Sequence, residues 1–289
     1  MEHQEKIGLA EQHSGMLLML LSCALLSAHD AITKSLTEGY PVSQIIFIRG
    51  AVAAVFVLLW EVLKNNISAL RPNDIIGQLA RAGLFAASTV LITISLKLLP
   101  LSIVTAIIFT APIMVAVLSG PLLGEKVGRP TWIAALIGFS GVILIISPAG
   151  VAWSWAFLVP LGAAAASAFR DIVTRYLVVR ETASSILLST ALAATIVGAL
   201  GLPLAPWKWP TSLDAVLLVS VGATQLIAHY LQVKAFRIAA ANVLAPLKYS
   251  MLLWALILGV VIWGELPSSD VLAGAALIVL AGALVSRQT

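Results

Sequence analysis

The chain has 289 residues, of which 60% are hydrophobic and only 10% are charged, and its mean hydropathy is +1.03. Soluble domains average about 45–50% apolar and about 25% charged residues, so this composition excludes a soluble protein and indicates an integral membrane protein. The net charge of +4 does not indicate nucleic-acid binding, because basic residues in a membrane protein mark its orientation and there is no separate basic domain.

Apolar stretches of about 20 residues, long enough to cross about 30 Å of hydrocarbon as a helix, recur along the whole chain. The first thirteen residues carry three acids and one lysine, the reverse of a cleaved signal leader, so the first apolar stretch is expected to be retained. We therefore predict an all-α integral membrane protein with ten transmembrane helices. The predicted spans are 14–36, 42–62, 75–96, 101–122, 131–148, 154–177, 184–203, 212–236, 241–263 and 270–286.

Lysine and arginine are distributed unevenly between the two sides of this arrangement. Twelve fall on the side that holds both termini, and only Lys34, Lys97 and Lys208 fall on the other. Since basic residues concentrate on the cytoplasmic side, we expect a multi-pass protein of the bacterial inner membrane with both termini in the cytoplasm. Most tryptophans lie near predicted span ends, as interfacial anchors do, but Trp254 is deep, where packing is favoured over contact with a ligand.

An internal repeat divides the chain into residues 1–150 and 151–289. The sequence DAITKSL at 30–36 matches DIVTRYL at 171–177. Each half has five predicted spans, and an odd number makes the second half enter the membrane from the opposite side. We therefore expect two inverted five-helix repeats within one membrane domain, with two exchangeable conformations around a central site, which is the basis of alternating access.

The two halves also share a Gly-Glu dipeptide after their fourth span. GPLLGEK at 120–126 matches VVIWGEL at 260–266, and the glycine-containing fifth spans align at 138–144 and 279–285. With the tight basic hairpins between spans, these features resemble the EamA family of the drug/metabolite transporter superfamily over nearly the whole chain, with a further likeness to bacterial aromatic amino acid exporters. The resemblance implies a basket-like helical bundle whose central cavity transports small molecules, often by export.

Two acid–base pairs occupy equivalent positions in the two halves. Asp30 precedes Lys34 by four residues and Asp171 precedes Arg175 by four, the favourable order for an ion pair on a helix. Inversion places the first pair near the outer mouth and the second near the inner mouth. Two interpretations are open: a gate that forms at one end and breaks at the other, or pairing that lowers the cost of charges near the membrane interface.

Two basic residues lie within apolar spans. Arg49 and Lys248 are about 10–12 Å from a membrane surface at 1.5 Å per residue, and a basic residue at the midplane costs about 2.5–3.5 kcal/mol. Pro246 removes a backbone donor and frees carbonyls that need a protein- or water-lined environment, which predicts a cavity wall. Lys248 is therefore a candidate partner for a substrate carboxylate, and snorkelling to the interface is the open alternative.

Polar side chains recur on predicted spans eight and three. The candidate residues are Gln225, His229, Gln232 and Tyr230 on span eight, and Ser88 and Thr89 at the matching position of span three. On span eight the spacing of four and three predicts one helical stripe. Such a stripe either contacts a solute or hydrogen-bonds to neighbouring helices, and both remain open. Histidine side chains ordinarily titrate near neutrality, so His229 makes a proton a candidate coupling ion, although transport can also be facilitative.

The sequence predicts no cofactor and no metal site. It contains no HExxH metal pair, no GxSxG nucleophile motif and no GxxxxGK[ST] phosphate loop, which argues against an intramembrane enzyme, the main alternative from another class. A channel would need rings of carbonyls or like charges. We predict export of small metabolites, with aromatic or large apolar amino acids first; multidrug, nucleoside or other metabolite export is the alternative within the fold. The expected partners are a small-molecule substrate and the lipid bilayer.

Overall fold

A computed structural model describes residues 9–123, 129–146, 154–177, 180–238 and 246–286, and within these ranges it contains helices and no strands. The α-helices are α1 (Leu9–Gly39), α2 (Val42–Leu63), α3 (Ile75–Leu98), α4 (Leu101–Ile108), α5 (Ala111–Leu123), α6 (Arg129–Ile146), α7 (Leu158–Leu177), α8 (Ala183–Gly201), α9 (Ser212–Ile238), α10 (Ser250–Trp263) and α11 (Ser269–Ser286).

These helices follow the predicted spans closely. For example, α2 covers Val42–Leu63 where 42–62 is predicted, and α3 covers Ile75–Leu98 where 75–96 is predicted. Within the described residues, six helical stretches are long and apolar enough to cross a membrane, and shorter apolar helices accompany them. The predicted all-α membrane fold is confirmed.

Predicted span four differs, because it is two helices rather than one. Helix α4 ends at Ile108 and α5 begins at Ala111. Pro112 explains the break, since proline lacks the N–H that would bond to a carbonyl four residues earlier. At the break the carbonyl of Ile107 accepts from the backbone N–H of Thr110 at 3.0 Å and from its hydroxyl at 2.7 Å, so a side chain adds to the backbone bonding there.

The chain forms two compact units, each of which draws on both halves of the sequence. Unit 1 comprises Met1–Ala31, Pro100–Ser154 and Thr224–Thr289, and unit 2 comprises Ile32–Leu99 and Trp155–Ala223. Helices α1 and α9 therefore contribute residues to both units. The division into two inverted repeats, 1–150 and 151–289, stays a prediction about internal symmetry.

In unit 2, α2 packs against α8 and α3 packs against α7. The α2–α8 contact is very close, because a Cβ on Gly198 would lie 2.3 Å from the backbone nitrogen of Phe47 and one on Gly50 would lie 2.5 Å from that of Thr195. Small residues allow such an approach, which favours helix association where lipid removes the hydrophobic driving force. The helices α2 and α8 are the second helices of the two predicted repeats.

In unit 1, α6 packs against α11 and α4 packs against α10. The first contact again relies on glycine: a Cβ on Gly141 would lie 2.6 Å from the carbonyl oxygen of Gly274, and one on Gly274 would lie 2.5 Å from that of Gly141. Ile113, Ala135 and Ala281 form a buried apolar cluster beside it. Here too the closely packed helices, α6 and α11, hold the same place in the two predicted repeats.

Glu181 connects the segment before α8 to the start of α3. Its Oε1 accepts hydrogen bonds from the backbone N–H groups of Asn73 and Asp74, each at 2.7 Å, while the carboxylate of Asp74 caps α3 by accepting from the N–H of Gly77 at 2.9 Å. Burial, the largest single influence, raises the pKa of Glu181. Hydrogen bonds to its carboxylate from Asp74, Gln78, Asn73 and Ser185 together outweigh burial, and the pKa falls below its ordinary value of 4.5.

The α2–α8 contact predicts a sharp response to one methyl group. In Gly198→Ala the new Cβ would meet the backbone of Phe47 at 2.3 Å, so the helices must separate, and we expect a loss of about 1–3 kcal/mol in stability. The measurement is the midpoint of thermal unfolding of the purified protein in detergent. Gly83→Ala is the matched control, because a Cβ at this helical position meets nothing within 4 Å. Equal midpoints for the two variants would contradict the close contact.

The lowered pKa of Glu181 predicts a pH dependence of stability. Because the unfolded chain binds this proton more readily, the stabilisation is present above the ordinary pKa of 4.5 and is lost as the pH falls through the lower folded-state pKa. We therefore expect the unfolding midpoint of the wild type to fall more steeply on acidification than that of Glu181→Gln. Glu38→Gln, which replaces an exposed acid of unit 2, should keep the wild-type slope; a wild-type slope in Glu181→Gln would refute the assignment.

Candidate functional site

The predicted site residues are divided between the two units. Unit 1 holds Asp30, Gln225, His229, Tyr230, Lys248 and Trp254, and unit 2 holds Lys34, Arg49, Ser88, Thr89, Asp171 and Arg175. Each set has its own geometry, and the combination of both sets in one central site stays a prediction.

Predicted span nine is irregular where Pro246 enters it. Pro246–Tyr249 form a 3-10 turn, and the α-helix begins only at Ser250; residues 241–245 lie outside the described residues. A proline at this point supplies no N–H to the preceding turn and prevents regular α-helical bonding. Lys248 lies within the 3-10 turn and is half-buried, so a cation stands where the backbone of an apolar span is irregular.

Helix α1 supplies hydrogen-bond donors to this irregular region. The thiol of Cys23 donates to the carbonyl of Leu247 at 3.8 Å, and the hydroxyl of Ser27 donates to the carbonyl of Met251 at 3.2 Å. These donors give the 3-10 turn and the start of α10 a protein-lined environment. The ammonium of Lys248 is close enough to act electrostatically on the Cys23 thiol, which places Lys248 beside α1 within unit 1.

The polar stripe of α9 lies next to the face that packs on α1. Ala228 and Ala235 are fully buried, and the carbonyl of Ala228 accepts a hydrogen bond from Ser22 of α1 at 2.9 Å. Gln225, His229 and Gln232 are half-buried beside that face. They are thus close enough to the helix contact to hydrogen-bond across it and exposed enough to meet a solute, and both predicted roles remain.

Two aromatic candidates lie on exposed faces instead. Tyr230 is 51% exposed on the same side of α9 as the exposed Ile227, and Trp254 is 40% exposed among exposed apolar residues of α10 such as Leu253 and Ile257. An apolar exposed face of a membrane helix is the surface that meets lipid. This placement favours lipid contact for both rings over contact with a substrate.

The first predicted gating pair has described contacts in each unit. In unit 1, Nε2 of His29 lies 3.9 Å from Oδ1 of Asp30. In unit 2, the buried Lys34 donates from Nζ to the carbonyl of Leu99 at 3.1 Å, so the ammonium meets a backbone acceptor at the C-terminal end of α3. A cation at a helix C-terminus is favourable because of the partial negative charge there.

In the second predicted pair, the described partner of Asp171 is its neighbour Arg170. The guanidinium of Arg170 donates from Nε at 3.0 Å and from Nη2 at 2.8 Å to Oδ1 of Asp171. The side chain of Arg175 lies outside the described residues. A gate that opens and closes through Asp171 and Arg175 therefore stays a prediction, and Arg170 is a member of the cluster that the spacing rule missed.

The remaining candidates are buried in unit 2. Arg49 is only 4% exposed, so it does not face lipid, and Ser88 and Thr89 are buried as well. The hydroxyl of Ser88 donates to the carbonyl of Phe85 in its own helix at 2.9 Å. Local bonding of this kind satisfies the hydroxyl without a solute, which favours the helix-packing alternative for Ser88.

The Gly-Glu dipeptide at the end of α10 has a structural role that the sequence pattern did not reveal. Gly264 has φ +67°, a conformation that favours glycine. Its N–H donates to the carbonyl of Val260 at 2.9 Å, and the N–H of Glu265 donates to the carbonyl of Gly259 at 3.1 Å. The carboxylate of Glu265 then accepts from the N–H of Leu101 at 3.2 Å. One dipeptide therefore ends α10 and caps α4.

Sequence reasoning also passed over a buried acid. Glu61, in the last turn of α2, is only 3% exposed, and its Oε1 accepts a hydrogen bond from the hydroxyl of Ser184 at 2.7 Å. Ser184 lies in the first turn of α8, where unpaired N–H groups attract negative charge. Glu61 lies at the end of a predicted span, whereas sequence reasoning considered charged residues deep within the spans.

A family model and several relatives match this chain. Residues 13–147 match the EamA-like transporter family. The S-adenosylmethionine uptake transporter of Rickettsia conorii is 27% identical over 92% of this chain and 90% of its own length. The match over residues 13–147 and the names of these relatives support a membrane transporter that is similar to the EamA-like family.

Other relatives of this transporter carry different names. The riboflavin transporter of Brucella anthropi is 29% identical over 93% of this chain and 97% of its own length, and the pseudopaline exporter of Pseudomonas aeruginosa is 25% identical over 95% and 96%. A crystal structure of a protein with 19% identity has a TM-score of 0.70 over 96% of this chain and 99% of its own, which shows a shared fold. These names support transport of small metabolites and not specifically of aromatic amino acids.

The Glu265 contact predicts how the transporter responds to loss of the cap. Glu265→Ala removes the acceptor for the N–H of Leu101 at the start of α4, and loss of a helix cap costs about 0.5–2 kcal/mol. We expect a lower unfolding midpoint for Glu265→Ala, with Glu265→Gln in between, because the amide keeps an oxygen acceptor without the charge. A wild-type midpoint for Glu265→Ala would rule out the cap.

Proposed function

We propose that this transporter exports small metabolites that contain an amino-acid group, by alternating access across the bacterial inner membrane. Aromatic and large apolar side chains are the favoured substituents. The observation that carries the proposal is Lys248, a half-buried cation in the 3-10 turn that begins an otherwise apolar span. A lysine ammonium in this setting is a suitable partner for a substrate carboxylate, because charge-assisted hydrogen bonds are stronger than neutral ones.

The neighbouring polar groups suit the rest of such a solute. Gln225, His229 and Gln232 offer amide and imidazole groups that can accept from a substrate amine or donate to a carboxylate. All of them lie in unit 1 with Lys248. Small-molecule sites generally combine a few such polar groups with apolar walls, and the apolar helices of unit 1 supply those walls.

The names of the relatives support the proposed chemical class of the substrate, but they do not agree on the direction of transport. S-adenosylmethionine, which the Rickettsia relatives are named for, itself contains an amino-acid group. That relative is named for uptake, whereas the pseudopaline relative is named an exporter. The proposal of export rests on the resemblance to exporters.

A second solute class is favoured by a specific observation. Two relatives that each cover more than nine-tenths of this chain are named riboflavin transporters. Riboflavin offers a large flat apolar ring system and polar hydroxyl groups, but no carboxylate for Lys248. Its movement would therefore be insensitive to the charge at that position, which separates the two candidates.

The test is flux of labelled solutes into and out of liposomes that contain only this protein. The panel comprises phenylalanine, tryptophan, methionine, S-adenosylmethionine and riboflavin, each with and without a pH gradient. We expect saturable flux of unmodified amino acids, and about tenfold less in Lys248→Ala, since a charge-assisted hydrogen bond contributes about 1.5–3 kcal/mol. Lys97→Ala, at the exposed end of α3, is the matched control.

His229→Ala tests the coupling ion in the same assay. If His229 carries a proton during transport, the variant keeps flux driven by the solute gradient but loses the response to the pH gradient. Flux without any effect of pH in the wild type would make the transport facilitative. Unchanged amino-acid flux in both Lys248→Ala and His229→Ala would sink the site assignment, and flux of riboflavin alone would replace the substrate class.

A further inference from the structure

Unit 2 contains an arginine whose hydrogen bonding is incomplete. Arg81 lies in α3 and donates from Nε to the hydroxyl oxygen of Thr174 on α7 at 2.8 Å. The hydroxyl of Thr174 in turn donates to the carbonyl of Arg170 at 2.7 Å, so its lone pair is directed at Arg81. In contrast, Nη1 of Arg81 is buried and has no hydrogen-bond partner among the described residues.

The charges around Arg81 do not balance. Among the described residues, the charged groups that act on its guanidinium are Arg170, which repels it, and Asp171, which attracts it. Arg170 already directs Nε and Nη2 to Oδ1 of Asp171, and its guanidinium also lies 6.0 Å from the ring centre of Phe85. Two guanidinium groups therefore share one described carboxylate, which leaves one positive charge in excess at the α3–α7 contact.

Such an arrangement is unfavourable unless something else supplies an acceptor. A guanidinium stays protonated in proteins, so it cannot relieve the imbalance by losing a proton. A buried donor without a partner is destabilising, more so when the group is charged. The planar fork of arginine fits the oxygen atoms of a carboxylate or phosphate group better than any other acceptor.

We propose that Arg81, held by Thr174 and backed by the charge of Arg170, binds the carboxylate or phosphate group of an anionic ligand at the α3–α7 contact. Arg81 lies six residues after Ile75, about 9 Å along the axis from the start of α3, near the predicted cytoplasmic end. A role for this subsite in transport rests on the proposed function. Binding of an anion to Arg81 does not depend on that function.

The experiment measures binding by the full-length protein in discs of neutral phosphatidylcholine. The probes are phenylacetate and inorganic phosphate, and phenylacetamide is the uncharged counterpart of the first. Ligand that binds the folded state raises the unfolding midpoint, by about 5 °C when its concentration is about 100 times Kd. We expect this shift with either anion and none with phenylacetamide.

The variants separate Arg81 from general charge effects. Arg81→Gln should lose the anion-dependent shift, and Arg81→Lys, which keeps the charge without the fork, should weaken apparent binding about tenfold. Arg71→Gln removes an exposed cation shortly before α3 and should keep the full shift. A shift in Arg81→Gln equal to that of the wild type overturns the proposal.

A second arm identifies the source of the anion. If soluble anions have no effect but replacing zwitterionic phosphatidylcholine with anionic phosphatidylglycerol stabilises the wild type and not Arg81→Gln, the subsite binds an anionic lipid headgroup. If neither arm gives an effect that depends on Arg81, no anion binds there and the proposal fails. Should Arg81→Gln not fold, Thr174→Val keeps both charges and removes only the oxygen that holds Nε; an undiminished shift in that variant is then the contradicting result.

Because the readout is binding, failure of the subsite and failure of the proposed function are distinguishable. Anion-dependent stabilisation without solute flux would keep the subsite and reject amino-acid transport. Amino-acid flux that is equal in the wild type and in Arg81→Gln, together with no anion-dependent shift, would keep the transport proposal and reject the subsite.

Discussion

Every backbone polar group in the hydrocarbon must find its partner within the protein, and the structure depends on that constraint. Where a helix is regular the requirement is met automatically. At several irregular points of the described residues a side chain contributes a hydrogen bond: Thr110 at the break between α4 and α5, Cys23 at the 3-10 turn of Pro246–Tyr249, and Glu265 at the start of α4. The irregular points are thus the places where the sequence must be polar, and they are the places where a solute can compete for the same groups.

The spans were predictable because hydropathy and length report the same constraint, and α2 and α3 match their predicted ranges within two residues. Pro112 could also have predicted the break in span four, but the apolar run there is long enough for one span and predicts a single helix. Contacts were harder to predict. The four-residue spacing suggested Arg175 for Asp171, and that pairing stays a prediction; the spacing rule did not indicate Arg170, which donates to Asp171.

The sequence predicted which positions within the spans are polar, but not which groups those side chains contact. Sequence spacing predicted that Gln225, His229 and Gln232 share one helical stripe, and all three lie half-buried in the single helix α9. It could not show that Tyr230 and Trp254 lie on exposed faces, because the direction of a face depends on which helices surround it. Nor could it single out Arg81. Helix α7 supplies an acceptor for Nε of Arg81, but Nη1 has no acceptor among the described residues.

The Gly-Glu dipeptide explains why family likeness predicts this fold more firmly than its substrate. Gly264 and Glu265 act through a left-handed turn and a helix cap, and neither contact depends on which solute is moved. The inverted repeat predicts a counterpart in which Glu125 caps the start of span nine, but residues 124–128 and 241–245 lie outside the described residues. Contacts that serve the backbone do not discriminate between solutes, so we expect discrimination to come from other charged and polar groups of the chain.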